Sequence, residues 1–263
     1  MAHTHKLFPN HVLANEIEDQ YNSRLDLIRF CTVDNSLVGV AGDTKKINVY
    51  SATNGTEKLA MGAGNTKNIE VTYTDKEYKI LLAQNRFEYY DEEAMNDPIV
   101  VQTGIRHMTT DMFNTVQADV LAEFAKATQV VDATAFDFGA FVDGSATLNS
   151  ENIESEAIFC LVNPVDVAAI RKTLKDDLKY VESFVRSGYI GHVAGMSLNV
   201  SKLVPAGTIY GGTREAVTLF NKLGTEVEQE RDANIRLNSI FSRKYYLAAL
   251  TDATKAFKIV KGA

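Results

Sequence analysis

Residues 43–83 contain two alternating arms with little of their own to fold against. Lys46–Tyr50 (KINVY) and Ile69–Thr74 (IEVTYT) alternate polar and apolar side chains, the period of a strand. Between them runs TNGTEKLAMGAGNTKN, rich in Gly, Asn and Thr, with Leu59 and Met61 as its large apolar side chains. The spacing predicts a long antiparallel hairpin with a loose tip. A two-stranded hairpin is marginal in water by itself. It must fold back on its own domain or lie on another subunit, because an open apolar strand invites a partner. Lys58 and Lys67 flank the tip and would face whatever receives it.

The longest element follows. Glu88, Asp91, Glu92 and Glu93 precede Asp97-Pro98, an N-cap with proline at the first helical position. A helix should run over 97–126, with Ile105, Met108, Met112, Val116 and Phe124 as its core stripe and Val120 and Leu121 widening it. Asn163-Pro164-Val165-Asp166 starts a second helix in the same way. It should turn Val167, Ile170, Leu174 and Leu178 inward and Lys172, Lys175 and Lys179 outward. Upstream, residues 1–12 read as an arm carrying His3, His5 and His11, followed by an amphipathic helix with Leu13, Ile17, Tyr21, Leu25 and Ile28 at spacings of three and four. Val33–Val40 reads as extended.

Phe136, Phe138, Phe141 and Leu148 suggest a short helix or turn cluster, and Ser155–Val162 a buried strand. From Gly188 the pattern is mostly β: Met196, Leu198 and Val200 alternate with polar residues, then come Thr208–Tyr210, Val217–Phe220, Thr225–Arg231, Leu237–Leu250 and Phe257–Val260. No repeat or linker divides the chain. The fold class is α+β, and 263 residues suffice for a substantial core.

Several function classes fall away. Acidic residues number 34 against 27 basic, a net charge of −7, which argues against a dedicated nucleic-acid binder. No stretch approaches the roughly 20 apolar residues of a membrane helix. The start, MAHTHKLFPN, lacks the apolar core of a signal peptide, so synthesis and retention in the cytosol are expected. Gly188, Gly191 and Gly195 lead into the strand MSLNVS and read as a turn, not a phosphate loop, and Gly62–Lys67 lacks the Walker spacing. His3, His5 and His11 on an arm make a poor metal site, and His107 and His192 have no obvious companions. Cys31 and Cys160 read as free, packed thiols without activating neighbours. No catalytic constellation, cofactor or metal is expected.

Glu226, Glu228 and Glu230 would share one strand face, where like charges repel unless cations answer them. A solvated face is the plain reading. The alternatives are a divalent cation or basic side chains of a neighbouring subunit, with Arg214, Arg231, Arg236 and Arg243 as nearby guanidinium donors. These carboxylates with Arg231 and Arg236, and the tip residues Leu59, Met61, Lys58 and Lys67, are the candidate assembly surfaces.

In order and spacing the passages resemble the major capsid proteins of tailed bacteriophages, the Hong Kong 97-like fold. KKINVYSATNG and NIEVTYTDKEYKILLAQNRFEYYDEEAMND resemble the extended E-loop and its return. DPIVVQTGIRHMTTDMFNTVQADVLAEFAKAT resembles the spine helix, and AIFCLVNPVDVAAIRKTLK a strand and helix of the axial domain. RSGYIGHVAGMSLNVSKLVPAG and EVEQERDANIRLNSIFSRKYYLAALTDATKAFKIV resemble the closing β segments.

The resemblance implies an N-terminal arm and short helix at 1–30, an E-loop at 43–83, a peripheral domain from 31–42, 84–130 and 236–263, and an axial domain at 131–235. It further implies hexamers and pentamers of this chain closing an icosahedral shell around double-stranded DNA in the virion, after synthesis in the host cytoplasm. A separate scaffolding protein, portal and head-completion proteins would be partners. A fused scaffold is not expected, since no long leading segment is read ahead of the arm. The DNA would be touched weakly and non-specifically, and no membrane is involved. An encapsulin-like compartment shell shares the fold and is the alternative; a soluble enzyme of unknown type is the second.

Overall fold

The computed structural model describes residues 27–148, 157–174 and 191–262. A 3-10 turn at Leu27–Phe30 leads to β1 (Thr32–Asp34), the hairpin strands β2 (Thr44–Ala52) and β3 (Val71–Lys79), and β4 (Leu81–Tyr90). Helices α1 (Asp91–Asn96) and α2 (Pro98–Ala125) follow, then β5 (Gln129–Ala133), α3 (Phe138–Thr147), β6 (Phe159–Val162) and α4 (Pro164–Thr173). The chain ends with β7 (His192–Val193), β8 (Met196–Val200), β9 (Thr208–Gly212), β10 (Val217–Asp232), β11 (Leu237–Leu250) and β12 (Ala256–Lys261).

Both expected helix starts form as capped termini. The Asp97 side chain accepts from the Ile99 N–H at 3.1 Å, and Pro98 takes the first position, where a missing donor costs nothing. Asn163 accepts from the Val165 N–H at 2.9 Å and donates to the Val204 carbonyl at 2.6 Å, pinning α4 to the loop after β8. Asp166 accepts from the Gly207 N–H at 2.8 Å.

The strands assemble into three sheets. A four-stranded sheet has the order β1-β10-β11-β4, a six-stranded sheet β5-β12-β9-β6-β8-β7, and β2 with β3 forms the separate hairpin. The C-terminal half of α2 packs between the two larger sheets. Val116, Val120, Leu121 and Phe124 join Phe159, Leu161 and Tyr210 of the six-stranded sheet and Leu219, Tyr246 and Ala248 of the four-stranded one. Phe124 meets Phe159 edge-on, with centroids 5.6 Å apart. A second core lies under α3 and α4, built on Phe141, Ile170, Met196, Ile209, Phe257 and Ile259.

Gly211 sits opposite Phe257 across β9 and β12, and the ring lies over it. A Cβ there would stand 2.3 Å from Phe257 Cζ, and Phe257 is fully buried. Gly211→Ala should therefore destabilise the subunit by about 1–3 kcal/mol through overpacking. A thermal melt of the unassembled chain reads the effect; an unchanged midpoint would show that the ring can move aside.

Several sequence expectations need correction. Ile105 is 45% exposed, so the buried stripe of α2 begins one turn later, at Met108, and continues through Met112, Val116 and Phe124. Val217–Phe220 and Thr225–Arg231 form one strand, β10, whose register shifts between Asn221 and Glu226 instead of breaking. Val33–Val40 is extended only over β1 and then turns.

The domain limits also cross the sheets. β10, inside the 131–235 segment, belongs to the four-stranded sheet, and β12, inside 236–263, belongs to the six-stranded one. Leu81–Ala83, inside the 43–83 segment, pair with β11. The physical reason is that sequence periodicity gives strands but not partners: β12 with β5 and β11 with β4 join residues far apart in the chain, and the limit at 235 cuts the β10–β11 hairpin. The helix expected over 13–28, the arm with His3, His5 and His11, and Leu178, Lys175 and Lys179 lie outside the described residues, apart from Leu27 and Ile28.

Candidate assembly surfaces

The hairpin stands as a two-stranded ribbon in register from Thr44 opposite Lys79 to Ala52 opposite Val71. Tyr50 and Tyr73 face each other across it with centroids 6.0 Å apart, and both are about two-thirds exposed. The pairing carries one step further, because the Thr53 N–H donates to the Glu70 carbonyl and the Glu70 N–H to Thr53 Oγ1, both at 2.9 Å.

The tip is then shaped by side chains. Glu57 accepts from the N–H and the hydroxyl of Thr66 at 2.9 Å each, and Asn65 donates to the Lys67 carbonyl at 2.7 Å. Gly55 is buried beneath Ile69; a Cβ on it would stand 2.6 Å from Ile69 Cγ1. Met61 is fully exposed and Leu59 half-exposed. Lys58 and Lys67 are also exposed, and no ion pair joins them to a described residue. The four tip residues singled out in the sequence are thus together and uncovered.

At its foot the hairpin is anchored to the four-stranded sheet. Tyr78 stacks on Phe220 at 5.1 Å, and Ile47, Leu37 and Tyr78 pack on Ile80, Phe220 and Ala249. Lys45 donates to Asp34 at 2.5 Å and also to the Ser36 hydroxyl, while Lys222 reaches the Gly42 carbonyl. The Lys45 hydrogen bond, with help from Ser36, outweighs partial burial and lowers the Asp34 carboxyl to about 2.

A depressed carboxyl contributes stability at pH values above its unfolded value near 3.8, and that stability is lost as pH falls through about 2. Protection of the β2 amides, taken relative to intrinsic exchange at the same pH, should therefore fall between pH 4 and 2 in the wild type. Asp34→Asn should exchange faster already at pH 6 and show no further acid step. A retained acid step in that variant would place the sensitive group elsewhere.

The face of the four-stranded sheet away from α2 carries the acidic cluster. Alternation puts Glu226, Glu228 and Glu230 on that face with Ser239, Phe241 and Arg243 of β11 and Gln84, Arg86 and Glu88 of β4. One guanidinium answers two of the carboxylates: Arg243 Nε donates to Glu226 at 3.1 Å and Nη2 to Glu228 at 2.5 Å. Glu230 has no ion-pair partner among the described residues. Glu88 is held by Arg86 at 3.2 Å and by the Ser239 hydroxyl at 3.1 Å.

Arg231 and Arg236 do not meet the acidic strand. Arg231 has the opposite parity to Glu230 and binds Asp91 at 2.7 Å; Arg236, in the turn after β10, binds Glu92 at 2.8 Å. Two of the expected donors thus clamp the turn to α1, where Asn238 also donates to Asp91 at 2.6 Å.

A shallow open groove on the outer face is lined by Gln84, Glu228, Gln229, Glu230, Phe241 and Arg243. Gln84 and Phe241 were not among the expected surface residues. Alternation places Phe241 beside Arg243, but only the strand register puts both beside Glu228. The buried Gln117, which accepts from the Leu27 N–H at 2.5 Å, was likewise not legible. Cys31 and Cys160 are both free and buried, and burial pushes the Cys160 thiol up to about 12, so it stays protonated. Among the described residues no group of three or more His, Cys, Asp or Glu is placed to hold a metal ion.

No family model matches the chain. The major capsid protein of Staphylococcus phage phiMR11 is 27% identical over 261 residues, a match covering 95% of this chain and 92% of that protein. The capsid structure of cyanophage P-SCSP1u superposes with a TM-score of 0.76 at 13% identity, over 95% of this chain and 92% of that one. The mature capsid of bacteriophage PhiM1 gives a TM-score of 0.71 at 11% identity, over 98% and 91%. At such identities the structural matches speak for fold alone, whereas the relative from Staphylococcus phage phiMR11 matches in sequence almost end to end. The chain therefore has the Hong Kong 97-like fold of tailed-phage capsids, and its sequence is similar to that of a tailed-phage major capsid protein.

Proposed function

We propose that this chain is the major capsid protein of a tailed bacteriophage, a structural subunit whose place is the virion. The observation that carries the reading is the end-to-end sequence match to a phage major capsid protein on a chain with the phage-capsid fold. Copies of the chain assemble as hexamers and pentamers into a closed shell around double-stranded DNA. A shell of this kind gains stability from many modest contacts repeated by symmetry. The hairpin fits that role: it rises from its own sheet with an exposed tyrosine pair and an uncovered apolar tip, and a second subunit supplies what such a ribbon lacks. The net charge of −7 suits a shell that holds DNA without binding it tightly. A separate scaffolding protein, a portal and head-completion proteins are its further partners.

Negative-stain electron microscopy of the purified chain, alone and co-expressed with its genomic neighbours, tests this. Uniform shells are the expected result. Their contents separate a coat from a compartment that encloses an enzyme: a shell that captures a specific protein cargo would overturn the coat reading. Monomers alone under both conditions would overturn the shell reading altogether.

A further inference from the structure

Asn54-Gly55 is the chain's one asparagine–glycine step, and it falls in the hairpin tip. The ladder ends just before it, at the Thr53–Glu70 pair. Glycine is fixed at 55 by packing, since a Cβ there would stand 2.6 Å from Ile69 Cγ1 and 3.0 Å from the Ile69 nitrogen. Asn54 is exposed, and among the described residues neither its side-chain amide nor the Gly55 N–H has a hydrogen-bond partner. Other loop asparagines are held. Asn65 donates to the Lys67 carbonyl at 2.7 Å, and the following Thr66 N–H donates to Glu57 at 2.9 Å. Asn35 accepts from Asn221 at 3.1 Å, and the following Ser36 N–H donates to Asp34 at 2.8 Å. Of these three, Asn54 alone combines an untethered amide, an untethered following nitrogen and a neighbour with no side chain to block approach.

We propose that Asn54 is a self-modifying site: in the free subunit its side chain cyclises onto the Gly55 nitrogen and hydrolyses to aspartate and isoaspartate, and this conversion disarms the tip for assembly. The Gly55 nitrogen gives up its proton to solvent hydroxide and attacks Asn54 Cγ. A new N–Cγ bond forms, the bond from Cγ to the amide nitrogen breaks, and ammonia leaves. The five-membered succinimide then takes up water. Cleavage of the new N–Cγ bond yields aspartate. Cleavage of the bond from that nitrogen to the Asn54 main-chain carbonyl carbon yields isoaspartate, with the chain rerouted through Cγ. The net change is amide and water to carboxylate and ammonium, with no redox step. The reacting groups belong to adjacent residues, so no second molecule has to be positioned for the ring to close. Isoaspartate lengthens the backbone by one carbon between the last ladder pair and the Gly55–Ile69 contact, so the two cannot both be kept. Either product adds a negative charge to a tip whose Lys58 and Lys67 are exposed. The modification belongs to the chain itself; its effect on assembly rests on the shell reading above.

Ageing of the purified, unassembled chain at mildly alkaline and mildly acid pH tests it. Cleavage after Lys46 and Lys58 releases residues 47–58, which carry Asn54 and, as an internal control, Asn48 of the β2–β3 ladder. Peptide mass spectrometry should place the amide-to-acid mass gain on Asn54, about tenfold or more above Asn48, because only Asn48 needs the ladder to open first. The gain should be faster at the alkaline pH, where the attacking nitrogen loses its proton more readily. Labelling by an isoaspartyl methyltransferase should identify isoaspartate in the product. Asn54→Gln, which would have to close a six-membered ring, should stay unconverted and melt as the wild type does. Shell yield from aged wild-type subunits should fall in proportion to the converted fraction, whereas aged Asn54→Gln keeps its fresh yield. Conversion at Asn54 no faster than at Asn48 would overturn the site. Conversion with full yield from the aged chain would overturn its effect on assembly. Neither result touches the coat reading, which fails if fresh wild-type chain forms no shells under any condition; the mass gain at Asn54 still decides the site in that case.

Discussion

Deleting residues 53–66 leaves a folded subunit that no longer closes shells. None of the three core clusters contains a residue between Thr53 and Glu70, so the deletion removes no buried core side chain. It leaves Lys67–Glu70 to join Ala52 to Val71, a four-residue connection of ordinary hairpin length. What is lost is the tip itself: the Glu57–Thr66 clasp, the Gly55–Ile69 contact, Lys58, Leu59 and Met61. The melt of the subunit should shift by no more than about 2 °C, in line with an exposed segment outside the core. Particle yield should fall to background, because each subunit would lose one contact and each neighbour would lose the matching one. Symmetry multiplies a modest loss per contact over the whole shell. Normal particles from the deleted chain would show that the hairpin is not an assembly arm.

How much of this was legible beforehand follows from which interactions are local. The starts of α2 and α4 were readable because a cap, a proline and the first turn lie within a few residues of each other, and Asp97 and Asn163 make the hydrogen bonds their positions imply. The hairpin was readable because its pairing is between neighbours in sequence; the first arm is longer than expected, from Thr44 to Ala52, and the second is shifted, running from Val71 to Lys79 instead of Ile69 to Thr74.

The layers were not readable. β12 leaves β11 for the other sheet, where it pairs in parallel with β5, and that partner lies more than a hundred residues upstream. No periodicity encodes such a choice. The acidic strand shows the same division. Alternation put Glu226, Glu228 and Glu230 on one face, but the identity of their counter-ion depends on register: Arg243 stands opposite Glu226, whereas Arg231, one residue from Glu230, points to the other side and meets Asp91. Ile105 failed as a core residue for a related reason. The stripe continues in sequence, while the packing that buries it starts only at Met108.

The contrast between Ile105 and Met112 gives the second large effect. Met112 is 6% exposed on the buried side of α2, two turns beyond Ile105. Met112→Asp would put a carboxylate in place of a buried apolar side chain, and the group would have to stay buried or drive the helix off the sheet. Either route costs about 3 kcal/mol or more, once the lost apolar contact is added. Against a total stability of roughly 5–15 kcal/mol this is a large share. For a chain of this size it lowers the melting midpoint by about 10 °C and sharply reduces soluble yield. Ile105→Asp, at an exposed position of the same helix, should move the midpoint by no more than about 2 °C. Both variants are best melted in the background lacking residues 53–66, so that assembly does not mask the subunit. Equal midpoints for the two would mean that burial along α2 does not change between Ile105 and Met112. A large loss at Ile105 with none at Met112 would mean that the helix packs through its first turns and not from Met108 onward, since seven residues apart the two side chains share one face.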